Sequence, residues 1–355
     1  MVAPSLIAKV LSQAITLATH SWEYGTVCEA LLEWQNPEDS VFGANPFPGG
    51  KIPTLDIGKV EALSYVKPHI LTDNVTLVEA AGAAGDPASL GIPALLIGQT
   101  YPEYTAAAQR QEDHLVNTVP RWPNGAISQR EAYAELWADF IYMAPPFLAY
   151  YAVATANVTL LKEAARQCIE YHDVLSTPLG PWHHIVGPKS QDLGLWSTGN
   201  GWAAAGTARV LATMVKSPFA GATKGEQKAL IANIKAIIDG AISLDTDSSG
   251  LLRNYLNDTT WYGEISGTAM LTATTYRMAV LSPSNFGAKY TNWAMKKKDL
   301  VDKDINATTG IVAPAINPLN WKDNTPFTSG SPEGQSFVVL MHAAYRDWAS
   351  KGGRK

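Results

Sequence analysis

The sequence predicts an all-α fold, an α/α toroid in which an inner ring of helices is wrapped by an outer ring, and three observations predict it. Apolar residues recur at helical spacing along most of the chain. A glycine followed by strand-type residues recurs at Gly125, Gly180, Gly250 and Gly310, at intervals of 55, 70 and 60 residues, the length of one helix pair and a loop. Each recurrence precedes a helix rich in Trp, Gly, Ala and small polar residues, and the helices between these carry the Lys and Gln of a solvated face.

Taken in order, helices are predicted over residues 5–19, 21–35, 88–99, 102–117, 136–155, 158–174, 200–216, 224–243, 265–281, 286–299 and 333–350. The run Glu163–Leu175 shows the period plainly, with Ala165, Cys168, Ile169 and His172 three or four apart. Lys224–Gly240 has the polar face of an outer helix, whereas the helices beginning near Leu136, Asn200, Ile265 and Glu333 are the small-residue ones assigned to the inner ring. Eleven helices leave one of a paired set unaccounted for. Segment 38–80, rich in Pro and Gly and poor in helical period, is read as a long excursion over one face, of the kind that shapes a binding site. Nothing resembles an interdomain linker, so residues 1–355 are read as a single domain.

Composition narrows the partners. The chain is 46% hydrophobic and 17% charged, enough to bury a large core. Its 27 Lys and Arg against 32 Asp and Glu give a net charge of -5 with no basic run, so nucleic acid is excluded as a partner. No apolar stretch approaches the roughly 18 to 20 residues that span a bilayer, and no membrane partner is expected. Cys28 and Cys168 leave one bridge or two buried thiols open. Sequons at Asn74, Asn157, Asn257 and Asn306 suit a secreted glycoprotein, the expected localisation, although Met1–Lys9 carries no clear signal-peptide core. Eleven tryptophans supply flat rings that serve a core or stack on sugars equally well.

No dinucleotide fingerprint, Walker pair or zinc spacing occurs, and the loop opening at Asp245 lacks the closing Glu of a calcium site, so these residues neither require nor exclude a metal. What remains is carboxylate chemistry in aromatic surroundings. Asp139 opens a strongly apolar helix, where an ionised group must be paired, solvated in a cavity, or held by the helix dipole. Glu135, one turn earlier, is either its partner or a cap. Asp86 precedes Pro87, an everyday helix opening that also suits a second acid facing a cleft. Trp182–His183–His184 ends a short strand, and Trp196 and Trp202 bracket a turn through Thr198 and Asn200. In a toroid the inner-helix starts converge at one mouth. Two carboxylates facing across a sugar-stacking cleft are the minimal equipment for protonating an acetal or enol ether and activating water.

At this point the residues resemble a known family. Leu136–Trp137–Ala138–Asp139 followed by Met143–Phe147 is similar to the Trp-X-Asp helix of the unsaturated glycuronyl hydrolases, glycoside hydrolase families 88 and 105. Asp86–Gly91 resembles their Asp-X-X-X-X-Gly segment, Gly180–His184 their aromatic-His strand, Trp196–Trp202 their Gly-Asn-Gly-Trp turn, and Glu333–Ser336 their last inner helix. The likeness covers roughly residues 20 to 350. It implies a six-hairpin (α/α)6 barrel, a single catalytic domain over 1–355, that removes a Δ4,5-unsaturated uronic acid from lyase-generated oligosaccharides without a metal or organic cofactor. It further implies that Asp139 protonates the vinyl ether and activates water, that Asp86 assists, that His184 binds near the acidic group, and that Trp137, Trp196, Trp202, Trp22, Tyr24, Thr198 and Asn200 contribute to the sugar subsite. An oligosaccharide is the expected partner and a monomer the expected state.

One position departs from the family. Where family 105 carries an arginine that grips the uronate carboxylate, this chain has Thr198, which has no charge. Either Arg253, Lys189 or Arg130 supplies the charge from another loop, or the substrate is not the usual uronate. The alternatives are an exo-glycosidase that uses the same two Asp on a saturated sugar, and a carbohydrate-binding barrel without turnover.

Overall fold

The computed structural model describes residues 2–353. Twelve α-helices occur among them: α1 (Pro4–Leu17), α2 (Ser21–Gln35), α3 (Glu61–Val66), α4 (Gly91–Gly98), α5 (Pro102–Asn117), α6 (Phe140–Ala154), α7 (Val158–Leu175), α8 (Ser197–Lys216), α9 (Lys224–Ser243), α10 (Ile265–Leu281), α11 (Ala288–Val301) and α12 (Pro332–Ser350). The even-numbered helices pack neighbour to neighbour in a closed ring, with α12 returning to α2 and the 3-10 turn Asp86–Leu90 ahead of α4 making the contact with α2, and the odd-numbered ones lie against them outside. This is the (α/α)6 barrel. Two antiparallel two-stranded ribbons, β1 (Leu136–Trp137) with β2 (Ile185–Val186) and β3 (Leu252–Arg253) with β4 (Gly263–Glu264), sit in the loops.

The rings differ as their residues require. In α8 the side chains from Ser197 to Met214 are all buried, whereas α9 buries a single stripe through Leu230, Ile234, Ile237 and Ile238. Close approach in the inner ring depends on missing side chains. Pro145 removes the N–H that would bond the Ile141 carbonyl, and a Cβ on Gly206 of α8 would stand 2.1 Å from that carbonyl oxygen. At the far end of the inner ring Arg209 pairs with Glu29 and Glu33, and Arg277 with Glu33 and Asp347, tying α2, α8, α10 and α12 together.

The four recurrent glycines all adopt positive φ, at 107°, 100°, 78° and 81°. Two residues after each, a backbone N–H donates to a helix side chain: Ile127 to Gln167 (2.7 Å), Trp182 to Asn200 (2.7 Å), Leu252 to Thr268 (2.8 Å) and Val312 to Gln335 (2.8 Å). The last three acceptors each stand four residues after the cap of an inner helix. The periodicity in the sequence is therefore a repeated joint between loop and ring.

Differences from the predicted elements are local. Helix 136–155 begins only at Phe140, because Leu136 and Trp137 pair with Val186 and Ile185. The unaccounted helix is α3, whose six residues are too few to show a period. Residues Asp86–Leu90 form a 3-10 turn ahead of α4. Cys28 and Cys168 are both free and buried. Among the described residues no helix is long and apolar enough to cross a membrane.

Candidate active site

The N-terminal ends of the inner helices meet around a hollow of about 300 Å³. Asp86, Asp139, His184, Trp137, Trp196 and Trp22 line it. The two aspartates that lie far apart in sequence thus face one cavity.

Local structure places each group. The Ala138 N–H donates to the His184 carbonyl (2.9 Å), so pairing of β1 with β2 sets the imidazole beside Asp139 at the head of α6. His184 Nε2 lies 3.3 Å from Asp139 Oδ2, and its Nδ1 lies 3.2 Å from Asp192 Oδ2. Asp192 also accepts from the Tyr255 hydroxyl and from Trp321 Nε1 at 3.1 Å. Burial alone would lower the His184 pKa, but the carboxylates on its two sides outweigh burial and raise it. Hydrogen bonds from His184 and Tyr255 likewise overcome the burial of Asp192 and hold its carboxyl well below the usual range. His184 thus stands between two carboxyl groups, Asp192 behind it and Asp139 toward the hollow.

Asp86 is only 8% exposed. Burial pushes its carboxyl up to about 6, against the Gln129 Nε2–H bond to Oδ1 (2.7 Å) and reinforced by the Asp139 charge. A third carboxyl, Glu333, lines the same hollow from the first turn of α12. Burial, with the nearby Glu23 charge, holds it well above the ordinary carboxyl value, and its Oε1 accepts from Trp22 Nε1 at 2.5 Å. Trp137, Trp196, Trp321 and the His184 ring pack edge-on or tilted with centroids 4.3 to 6.3 Å apart, forming an aromatic wall.

Four of the residues expected in the sugar subsite lie off the hollow. Trp22 and Tyr24 are two apart on α2 and so point about 200° from each other. Tyr24 accordingly stacks on His69, centroids 3.8 Å apart, while Trp22 faces the cavity. Trp202 lies six residues into α8, below the mouth, packed between the Tyr142 and Phe337 rings, each at 4.5 Å. Asn200 is spent on backbone: it accepts from Trp182 N–H and donates to the carbonyls of Trp182 (3.0 Å) and Trp196 (2.9 Å). Thr198 is fully buried in the first turn of α8. Glu135 neither partners Asp139 nor caps α6, since both its oxygens accept from the Ser190 N–H.

Of the three cations considered for the missing arginine, Arg253 is engaged by Asp247 at 3.3 Å and by Thr246, and Lys189 is exposed away from the hollow. Arg130 lines it. Sequence reasoning did not single out Glu333, Asp192 or Trp321 as site residues. Ser331–Pro332–Glu333 reads as an ordinary helix start, and Ser331 does cap α12 through Gly334 N–H. Asp192 and Trp321 lie in loops without periodic signal.

The profile of glycosyl hydrolase family 88 matches residues 90–318. Among solved structures, the chain is similar to a possible member of the GH105 family from Salmonella enterica serovar Paratyphi A, at 18% identity and TM-score 0.75 over 98% of this chain and 96% of that one. It is also similar to a family 88 glycosyl hydrolase from Bacteroides vulgatus, at 15% identity and TM-score 0.71 over 97% and 98% of the two chains. An unsaturated glucuronyl hydrolase specific for heparin aligns at 10% identity and TM-score 0.67 over 98% and 96%. These likenesses concern the fold. No curated protein matches the sequence.

Proposed function

The chain belongs to glycosyl hydrolase family 88, and from that membership we propose that this glycoside hydrolase removes a Δ4,5-unsaturated uronic acid from the non-reducing end of lyase-generated oligosaccharides. The observation that carries the reading is the meeting of Asp86 and Asp139 in one aromatic-walled hollow, with His184 held against Asp139. The inner-helix N-termini that surround the hollow favour an anionic occupant.

In this mechanism Asp139 gives a proton to C4 of the vinyl ether and directs water to C5. The hemiketal so formed opens at its C5–O bond, leaving a hemiacetal at C1 that expels the aglycone as an alcohol, with one water consumed overall. His184, 3.3 Å from Asp139 Oδ2, orients it and, when protonated, balances the charge left as its proton departs. Asp86, largely protonated below about pH 6, donates to a ring hydroxyl or assists the water. Trp137, Trp196 and Trp22 stack on the ring. The raised carboxyl of Asp86 also suits the general acid of an exo-glycosidase acting on a saturated sugar, which is the second reading.

The test is incubation with products of several polysaccharide lyases. Loss of the ultraviolet absorbance of the conjugated double bond, with release of the ring-opened 4-deoxy-5-keto uronate and the shortened aglycone seen by mass spectrometry, is expected. Asp139→Asn should slow this by about 10²- to 10⁴-fold while retaining oligosaccharide binding. Turnover of saturated oligosaccharides alone would establish the second reading instead.

A further inference from the structure

The hollow carries three carboxyl groups and, among the residues that line it, a single side chain with a permanent positive charge, Arg130. Such a cation beside Asp86, Asp139 and Glu333 would ordinarily be consumed in an ion pair. Among the described residues Arg130 forms none: it donates one Nη2–H to the Ala81 carbonyl at 3.2 Å, and the side chain is half-buried. A guanidinium has five N–H donors in a planar fork, so most of this one is uncommitted.

The backbone is shaped to hold it there. Ala81 and Gly82 take successive left-handed conformations, φ +48° and +79°, and the first is an uncommon state for a residue with a Cβ. The Arg130 backbone bridges to Ala83, and Glu131 N–H donates to the Gly82 carbonyl at 3.1 Å, closing the turn against the arginine. On its other side the guanidinium stands 5.9 Å from the Trp137 ring centroid, within the aromatic wall. Gln129, the preceding residue, binds Asp86. One short loop therefore presents both the Asp86 contact and a fixed, unspent fork to the same cavity.

We infer that Arg130 is the carboxylate anchor of the substrate, making a charge-assisted, two-pronged contact to an acidic sugar in the hollow. This rests on the uronate reading above and identifies the residue that gives it specificity. The fork matches a planar carboxylate and has no comparable partner in a neutral sugar. The anchor comes from the loop between α5 and α6, whereas Thr198 is buried in the first turn of α8.

The experiment compares kcat and KM for an unsaturated uronate disaccharide and for its methyl ester, which has the same ring without the charge, using the whole protein. Wild type should prefer the acid. Arg130→Gln should raise KM for the acid about 30- to 100-fold, equivalent to about 2 to 3 kcal/mol, with little change for the ester, so that the preference disappears. Arg130→Lys, which keeps charge without the fork, should fall between, and melting temperatures of both variants check folding. An acid preference that survives in Arg130→Gln, or an equal loss on acid and ester, overturns the anchor while leaving the hydrolase reading standing. A wild type that hydrolyses neither compound overturns the proposed function and this inference with it.

Discussion

Replacing Asp86 by Asn should stabilise the folded protein at neutral pH while disabling the site. Burial raises the Asp86 carboxyl from 3.8 to about 6, so the native state holds a proton more firmly than the unfolded chain does. At roughly 1.4 kcal/mol per tenfold, that gap corresponds to about 3 kcal/mol by which ionised Asp86 opposes folding. The sign follows from the direction: below about pH 4 the carboxyl is protonated in both states and the penalty is absent, and above about pH 6 it is ionised in both and the penalty is complete. Asn carries no charge, and its amide oxygen still accepts the Gln129 N–H that Asp86 Oδ1 now receives. With an unfolding entropy of about 2.1 cal/mol/K per residue, the gain is a melting temperature about 4 °C higher at pH 7. The assay is thermal or urea unfolding of both proteins from pH 4 to pH 8, with the two curves converging at the acid end. A variant that is no more stable at pH 7, or whose advantage persists unchanged at pH 4, would refute the argument that desolvation of Asp86 sets this balance.

Asp192→Asn removes one of the two carboxylates that raise His184, so the alkaline limb of the kcat/KM profile should move to lower pH; a limb that stays in place argues that His184 does not govern it. Asn200→Ala leaves the Trp182 N–H and carbonyl unpaired in the interior, while the Trp196 carbonyl keeps the backbone N–H of residue 200, and should cost about 1 to 3 kcal/mol in urea unfolding without altering KM. A raised KM at unchanged stability would return Asn200 to the sugar subsite.

Much of the architecture was legible because the inner and outer helices obey different compositions. The buried small-residue surface of α8 and the single apolar stripe of α9 follow from the same periodic reading. The recurrent glycine was legible too, since a positive φ at each joint restricts the residue. The functional half of the motif was harder to read. Trp196 and Trp202 looked like one aromatic pair, but six residues along a helix separate them by about 9 Å of rise and about 120° around the axis, which sends one to the mouth and the other into the core. Asn200 looked like a sugar ligand because an amide suits either task, and it is a backbone clamp. Glu333 was hidden within an ordinary capping sequence.

The sequence by itself determined the helical repeat, the crowding of small residues around an axis, and the presence of acids, histidine and tryptophan at the heads of inner helices, because these depend on local period and on side-chain chemistry. Only the tertiary structure decided which of those heads face the hollow, that a third carboxyl and an unpaired arginine join them, and that Asp192 stands behind His184. Those outcomes turn on the rotation of each helix about its own axis and on where loops of no regular period come to rest, and both are set when the closed ring of six inner helices packs against itself.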